Sequence, residues 1–246
     1  MKKSIVLATA VASVLASGVA AAELSGNAAI TSNYIWRGVT QTNDGAAGQG
    51  GIDWGHDSGL YVGTWVSNVA FPDVNPDPGD EPTLGTGYEM DVYAGFGGEV
   101  GGFGYDLGVI SYQYPITPNF NFTEAYVSGT MSIVTIGLAY TVDAASGNDG
   151  GVFDSGDMYV NGSLDFAAGK SDVSIYAGSY MFENDGTGAD KIGGDADYSH
   201  YGASIGKDGF TFAVDKNTAD SDNVVFGSDT SDNVRFTASY SVDFEL

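Results

Sequence analysis

Few side chains in this sequence could do covalent chemistry. It has 2 histidines, no cysteine, and 32 acidic residues against 8 lysines and arginines. His56 stands beside Asp57 and Ser58, and His200 follows Ser199. Neighbours on an extended segment point to opposite faces, so neither histidine is set up as a general base for its serine. No glycine-rich phosphate loop is present. The acidic run Asp73–Glu81 has Pro78 where an EF-hand needs glycine, and Leu84 where it needs its closing glutamate. That leaves loose divalent binding by a solvated loop as the most it offers. The expectation is a protein that is not an enzyme, with no cofactor and no defined metal site.

What remains is a pattern of charges and rings on alternate positions, which share one face of a strand. Opposite the apolar phase fall Arg37 and Arg235, the only basic residues there, with Asp53, Glu89, Asp91, Glu124 and Asp157 among the carboxylates. Opposed charges in a narrow polar interior create a transverse field that orients polar solutes. The plainer alternative is that Arg37 pairs with inward carboxylates and braces the wall. Arg37 and Arg235, at the outer ends of the first and last strands, are expected close together inside the mouth. Trp36 is expected to face outward and Gly38 to let the chain leave the strand. Tyr93, Tyr112, Tyr114 and Tyr126 share the inward phase, as do Tyr159 and Tyr176. They form either a stacking track for sugars or nucleosides or ordinary cross-strand packing.

Strands must hold these side chains. At the end of the chain Val234, Phe236, Ala238, Tyr240, Val242, Phe244 and Leu246 are apolar, and Arg235, Thr237, Ser239, Ser241, Asp243 and Glu245 lie between them. This is a strand with one apolar and one polar face, and it exceeds the roughly 9–11 residues that cross a bilayer at a tilt. About twelve such segments can be drawn. They lie near 25–37, 46–56, 59–69, 87–97, 103–114, 122–131, 133–142, 157–166, 172–182, 198–206, 209–216 and 232–246. Short connections such as His56–Gly59 and Lys207–Gly209 alternate with longer ones such as Val39–Gly45 and Glu183–Asp197. The pattern predicts an all-β, antiparallel transmembrane β-barrel of about 12 strands, with short periplasmic turns and longer extracellular loops. A secreted soluble β-sandwich also has period 2, but it gives no reason for alternating loop lengths.

Lys2 and Lys3, the apolar run Ser4–Ala16 and Ala20-Ala21-Ala22 read as an export signal cleaved after Ala22. Residues 23–246 are then a single barrel domain in the outer membrane of a Gram-negative bacterium. A formal charge of -24 repels DNA and RNA, so nucleic acid is not expected as a partner. The expected partners are outer-membrane lipid and small hydrophilic solutes or cations. Monomer and trimer both stay open.

The segment Ser32-Asn33-Tyr34-Ile35-Trp36-Arg37-Gly38-Val39-Thr40-Gln41 resembles the opening motif of the TorF porin family. Gln49–Trp54, Gly59–Val69, Tyr88–Gly95, Tyr112–Pro115 and Thr123–Tyr126 resemble its later motifs in order, so the resemblance covers roughly residues 24–140. It implies an outer-membrane barrel of porin type and says little about the solute. The chain departs from many outer-membrane barrels in ending Phe244-Glu245-Leu246, without a terminal aromatic residue. The expected function is a channel for passive diffusion of small hydrophilic solutes or ions, with cations preferred because inward carboxylates outnumber inward guanidiniums. The alternative is a non-conducting structural or adhesive barrel.

Overall fold

Period-2 segments pair edge to edge until no edge is left. The computed structural model describes residues 23–72, 84–145, 153–185, 194–219, 222–223 and 232–246. The export signal and the acidic run from Asp73 lie outside these residues. The strands are β1 (Glu23–Thr31), β2 (Ile35–Trp36), β3 (Val39–Thr40), β4 (Ala47–Gly55), β5 (Leu60–Pro72), β6 (Leu84–Val100) and β7 (Phe103–Gln113). There follow β8 (Phe122–Met131), β9 (Val134–Ala144), β10 (Met158–Ala168), β11 (Ser171–Met181), β12 (Tyr198–Lys207), β13 (Phe210–Asn217) and β14 (Arg235–Glu245). All except β2 and β3 form one closed barrel of 12 strands, each antiparallel to its neighbours in sequence. Closure comes from β1, which pairs with β4 from Glu23↔Gly55 to Thr31↔Ala47 and with β14 from Ser25↔Glu245 to Thr31↔Ser239. The predicted barrel and its strand number are therefore correct.

Burial is inverted relative to a protein that folds in water. Outward-facing Ile136, Phe212 and Phe236 are 62%, 59% and 78% exposed, while inward Glu89, Asp91 and Glu124 are each 1% exposed. An apolar belt of this extent needs hydrocarbon against it, and a closed barrel lets every wall backbone group pair within the sheet.

The turns at one end are tight. Gly101-Gly102 and Asp208-Gly209 have φ of 61° and 82°, and of 52° and 85°. Two left-handed residues in succession make the type I′ turn that suits a two-residue hairpin. β1 starts and β14 stops at this end, where Glu23 faces Gly55 and Ser25 faces Glu245. The opposite end carries the longer connections, which fixes it as the loop end.

One boundary differs from expectation. β1 does not continue to Arg37. Its pairing ends at Thr31, followed by a last bond from the Ser32 N–H to the Ala238 carbonyl, 2.9 Å. Residues 33–46 then turn into the barrel, with β2 and β3 as a separate hairpin paired Ile35↔Thr40 and Trp36↔Val39. Trp36 consequently faces the interior. It contacts Tyr112, Phe122, Phe153 and Tyr180 at ring centroid distances of 5.7–6.2 Å.

Candidate functional site

The inward hairpin is held first by its own polar side chains. The Gln41 N–H donates to the Tyr34 carbonyl at 2.7 Å, the Tyr34 N–H donates to Thr42 Oγ1 at 3.1 Å, and Asn33 Nδ2 donates to Asp44 Oδ1 at 2.7 Å. Its tip is Arg37-Gly38, with φ of 48° and 81°, another type I′ turn. Gly38 is required twice over, because a Cβ there would run into the His200 side chain as well as strain the backbone. Arg37 is no glycine, and its left-handed backbone costs about 1 kcal/mol.

Contacts to the Arg37 side chain offset that cost. Its Nη1 and Nη2 donate to Glu124 Oε1 and Oε2 at 2.8 and 2.6 Å, a bidentate fork. The guanidinium carbon lies 4.2 Å from the ring centre of Trp36, 4.1 Å from Tyr159 and 5.0 Å from Tyr180. Glu124 sits where the β8–β9 register slips, between Thr123↔Asp143 and Glu124↔Thr141. Such an irregularity re-aims a side chain off the regular pleat. Around the tip, Asn217 Nδ2 donates to the Gly38 carbonyl at 2.8 Å, and the Tyr34 and Tyr114 hydroxyls donate to the two oxygens of Glu89 at 2.7 and 2.6 Å. Tyr112 stacks on Phe122 at 4.4 Å and Phe122 on Phe153 at 4.1 Å. The loop-end half of the lumen is therefore packed with side chains.

The other half is not packed, and glycine explains why. Three inward tyrosines lie flat across a glycine on the next strand and reach an aspartate on the strand beyond. Tyr93 crosses Gly63 to Asp53, Tyr61 crosses Gly95 to Asp106, and Tyr176 crosses Gly202 to Asp215. Flat rings leave space along the axis. A cavity of about 180 Å³ opens there, lined by Arg37, Glu124, Asp106, Asn161, Tyr176 and His200 among others. The Gly202→Val variant should displace the Tyr176 ring, which lies 2.6 Å from the position of the new Cβ, and should cost about 1–3 kcal/mol. Urea unfolding in detergent micelles measures this.

The remaining expected site residues are dispersed. Arg235 pairs with Asp44 at 2.7 Å on the rim, whereas Arg37 goes to Glu124, so the two guanidiniums serve different carboxylates. Asp91 is buried beside the packed layer, and its Oδ1 has no hydrogen-bond partner among the described residues. Asp157, buried in the turn one residue before β10, accepts the N–H groups of Asp154 and Glu183, each at 2.9 Å. Burial nevertheless pushes its carboxyl up to about 6. The proposed tyrosine track is split. Tyr112 and Tyr114 belong to the packed layer, while Tyr93 and Tyr126 lie on the open wall, Tyr126 flat over Gly108.

His200 went unrecognised as part of the lumen. Its Nε2 meets the Tyr159 hydroxyl at 2.7 Å. The signal that would have exposed the open wall is inward-phase glycine opposite inward tyrosine, as in Tyr61↔Gly95 and Gly202↔Tyr176. One exclusion needs correction. His56 Nδ1 and Ser58 Oγ do meet, at 2.9 Å, because the turn curls instead of staying extended. The same nitrogen accepts the Ser58 N–H at 3.1 Å, so the ring braces the turn.

A family model described as "Bacterial protein of unknown function (Gcw_chp)" matches residues 15–244. No curated protein matches. Among solved structures, the NanC porin is 11% identical, with a TM-score of 0.47 over 91% of this chain and 100% of that one. Outer membrane phospholipase A from Escherichia coli is 9% identical, at 0.44 over 90% and 96%. The outer membrane protein opdK from Pseudomonas aeruginosa is 11% identical, at 0.34 over 91% and 98%. A porin and a phospholipase stand side by side here, so these likenesses assign no activity.

Proposed function

We propose that this chain, which belongs to the Gcw_chp family, is an outer-membrane porin-like channel for small hydrophilic solutes or ions, closed on its outer side by the residue 33–46 hairpin. The observation that carries this reading is the inversion of burial: an apolar exterior around an interior of Glu89, Asp91, Glu124, Asp157 and Asp215. The interior space beyond the hairpin supports a conducting path. So does the resemblance of Ser32–Gln41 to TorF porins, whose motif here forms the hairpin itself. Export behind a signal cleaved after Ala22 goes with this reading. So does a non-enzymatic role, since His200 is engaged by Tyr159 and His56 by its own turn.

Conduction through the purified, refolded protein in planar bilayers tests the proposal. Cations should carry most of the current, because the inward charges are mostly carboxylates. The preference should weaken between 0.1 and 1 M salt as the Debye length falls from about 10 Å to about 3 Å. Anion preference in a salt gradient would contradict it. A second reading, a barrel that never conducts, is favoured by the packed layer of Trp36, Phe122, Phe153 and Tyr180. It predicts no current steps at any voltage.

A further inference from the structure

The Arg37 guanidinium is bound in the way a soluble ligand would be. A carboxylate grips it at both ends, and the Tyr159 and Tyr180 rings of the wall meet its face, while Trp36 from the hairpin meets it too. The wall at this point has more polar capacity than Arg37 uses. Thr141 Oγ1, in register with Glu124, has no hydrogen-bond partner among the described residues, and neither have the Tyr180 hydroxyl and His200 Nδ1. All three residues are buried, with exposures of 0%, 0% and 3%. Arg37 and Glu124 also border the cavity of about 180 Å³, so the pocket opens onto a space where a second cation could wait. The acidic lining favours cations there over anions or neutral molecules.

We propose that Glu124, Tyr159 and Tyr180 form a binding site for organic cations carrying a guanidinium or ammonium group, and that Arg37 occupies it as a tethered substitute which such a solute displaces. This rests on the channel reading, for which it names the solute class. Exchange of one guanidinium for another leaves the buried Glu124 paired throughout, so it avoids exposing an isolated charge to a dry interior. The tether gives Arg37 a high effective concentration, which the solute must overcome. The left-handed backbone at Arg37 weakens that advantage, because release of the tip relieves it.

The test is calorimetric titration of the refolded barrel in detergent with ethylguanidinium, and with ethylurea as its neutral isostere. Arg37→Ala should bind ethylguanidinium and not ethylurea. Wild type should bind it at least about tenfold more weakly, since its own guanidinium competes. Arg37→Ala/Glu124→Gln should lose more than about a hundredfold in affinity relative to Arg37→Ala. Should Arg37→Ala fail to refold alone, millimolar ethylguanidinium should restore refolding where ethylurea does not. Equal binding by wild type and Arg37→Ala, binding unaffected by Glu124→Gln, no binding, or rescue by neither compound overturns the proposal. Binding without bilayer current would instead remove the channel reading and leave the site standing.

Discussion

Glu124→Ala is expected to be the most damaging single change in the lumen. It leaves the Arg37 guanidinium, 7% exposed, without its bidentate partner. Breaking a buried pair from one side costs about 3–5 kcal/mol, well above the worth of an exposed pair. The wall does not depend on that contact, because β8 keeps its ladder to β7 from Phe103↔Met131 to Tyr112↔Phe122. The hairpin should therefore leave its seat while the barrel survives, and bilayer conductance should rise. Removing both partners in Arg37→Ala/Glu124→Ala should cost less than Glu124→Ala alone, because no bare charge remains. A double-mutant cycle by urea unfolding in micelles reads the coupling. If Glu124→Ala is as stable as wild type, the hairpin is not anchored there.

The second large effect belongs to the outer face. Val109, 47% exposed, lies midway along β7 between Ala94 of β6 and Ala125 of β8. Val109→Arg places a charge in hydrocarbon and should cost about 2–4 kcal/mol, seen as lost heat-modifiability and poor refolding into lipid. Ser128→Lys, on the inward phase opposite Asp106, should fold normally and change only ion preference. A β-sandwich in water would bury the apolar phase too, so the discriminating readout is that the barrel refolds only with detergent or lipid against its outer face.

How far these features could be read from the sequence varies with their range along the chain. Strands such as Phe122–Met131 and Arg235–Glu245 were legible because period 2 is written into consecutive residues and hydrocarbon enforces it. The alternation of short and long connections then gave the two ends of the barrel. Ser32 to Arg37 misled for the same reason, since it continues the alternation of β1. Whether it extends the strand or turns inward is decided by positive φ at Arg37-Gly38 and by Glu124, 87 residues away. No local pattern reports a partner at that distance. The flat tyrosines were half legible. Their phase was readable, but the glycines that seat them count only once the register pairs Gly63 with Tyr93 and Gly202 with Tyr176.

Single-channel recording of wild type and Glu124→Ala, both refolded and checked for heat-modifiability, tests the central claim most directly. The account predicts small or rare cation-selective steps from wild type and larger, more frequent cation-selective steps from Glu124→Ala, as the hairpin gives up the lumen. Silence from both well-folded barrels under every voltage and salt condition would contradict it.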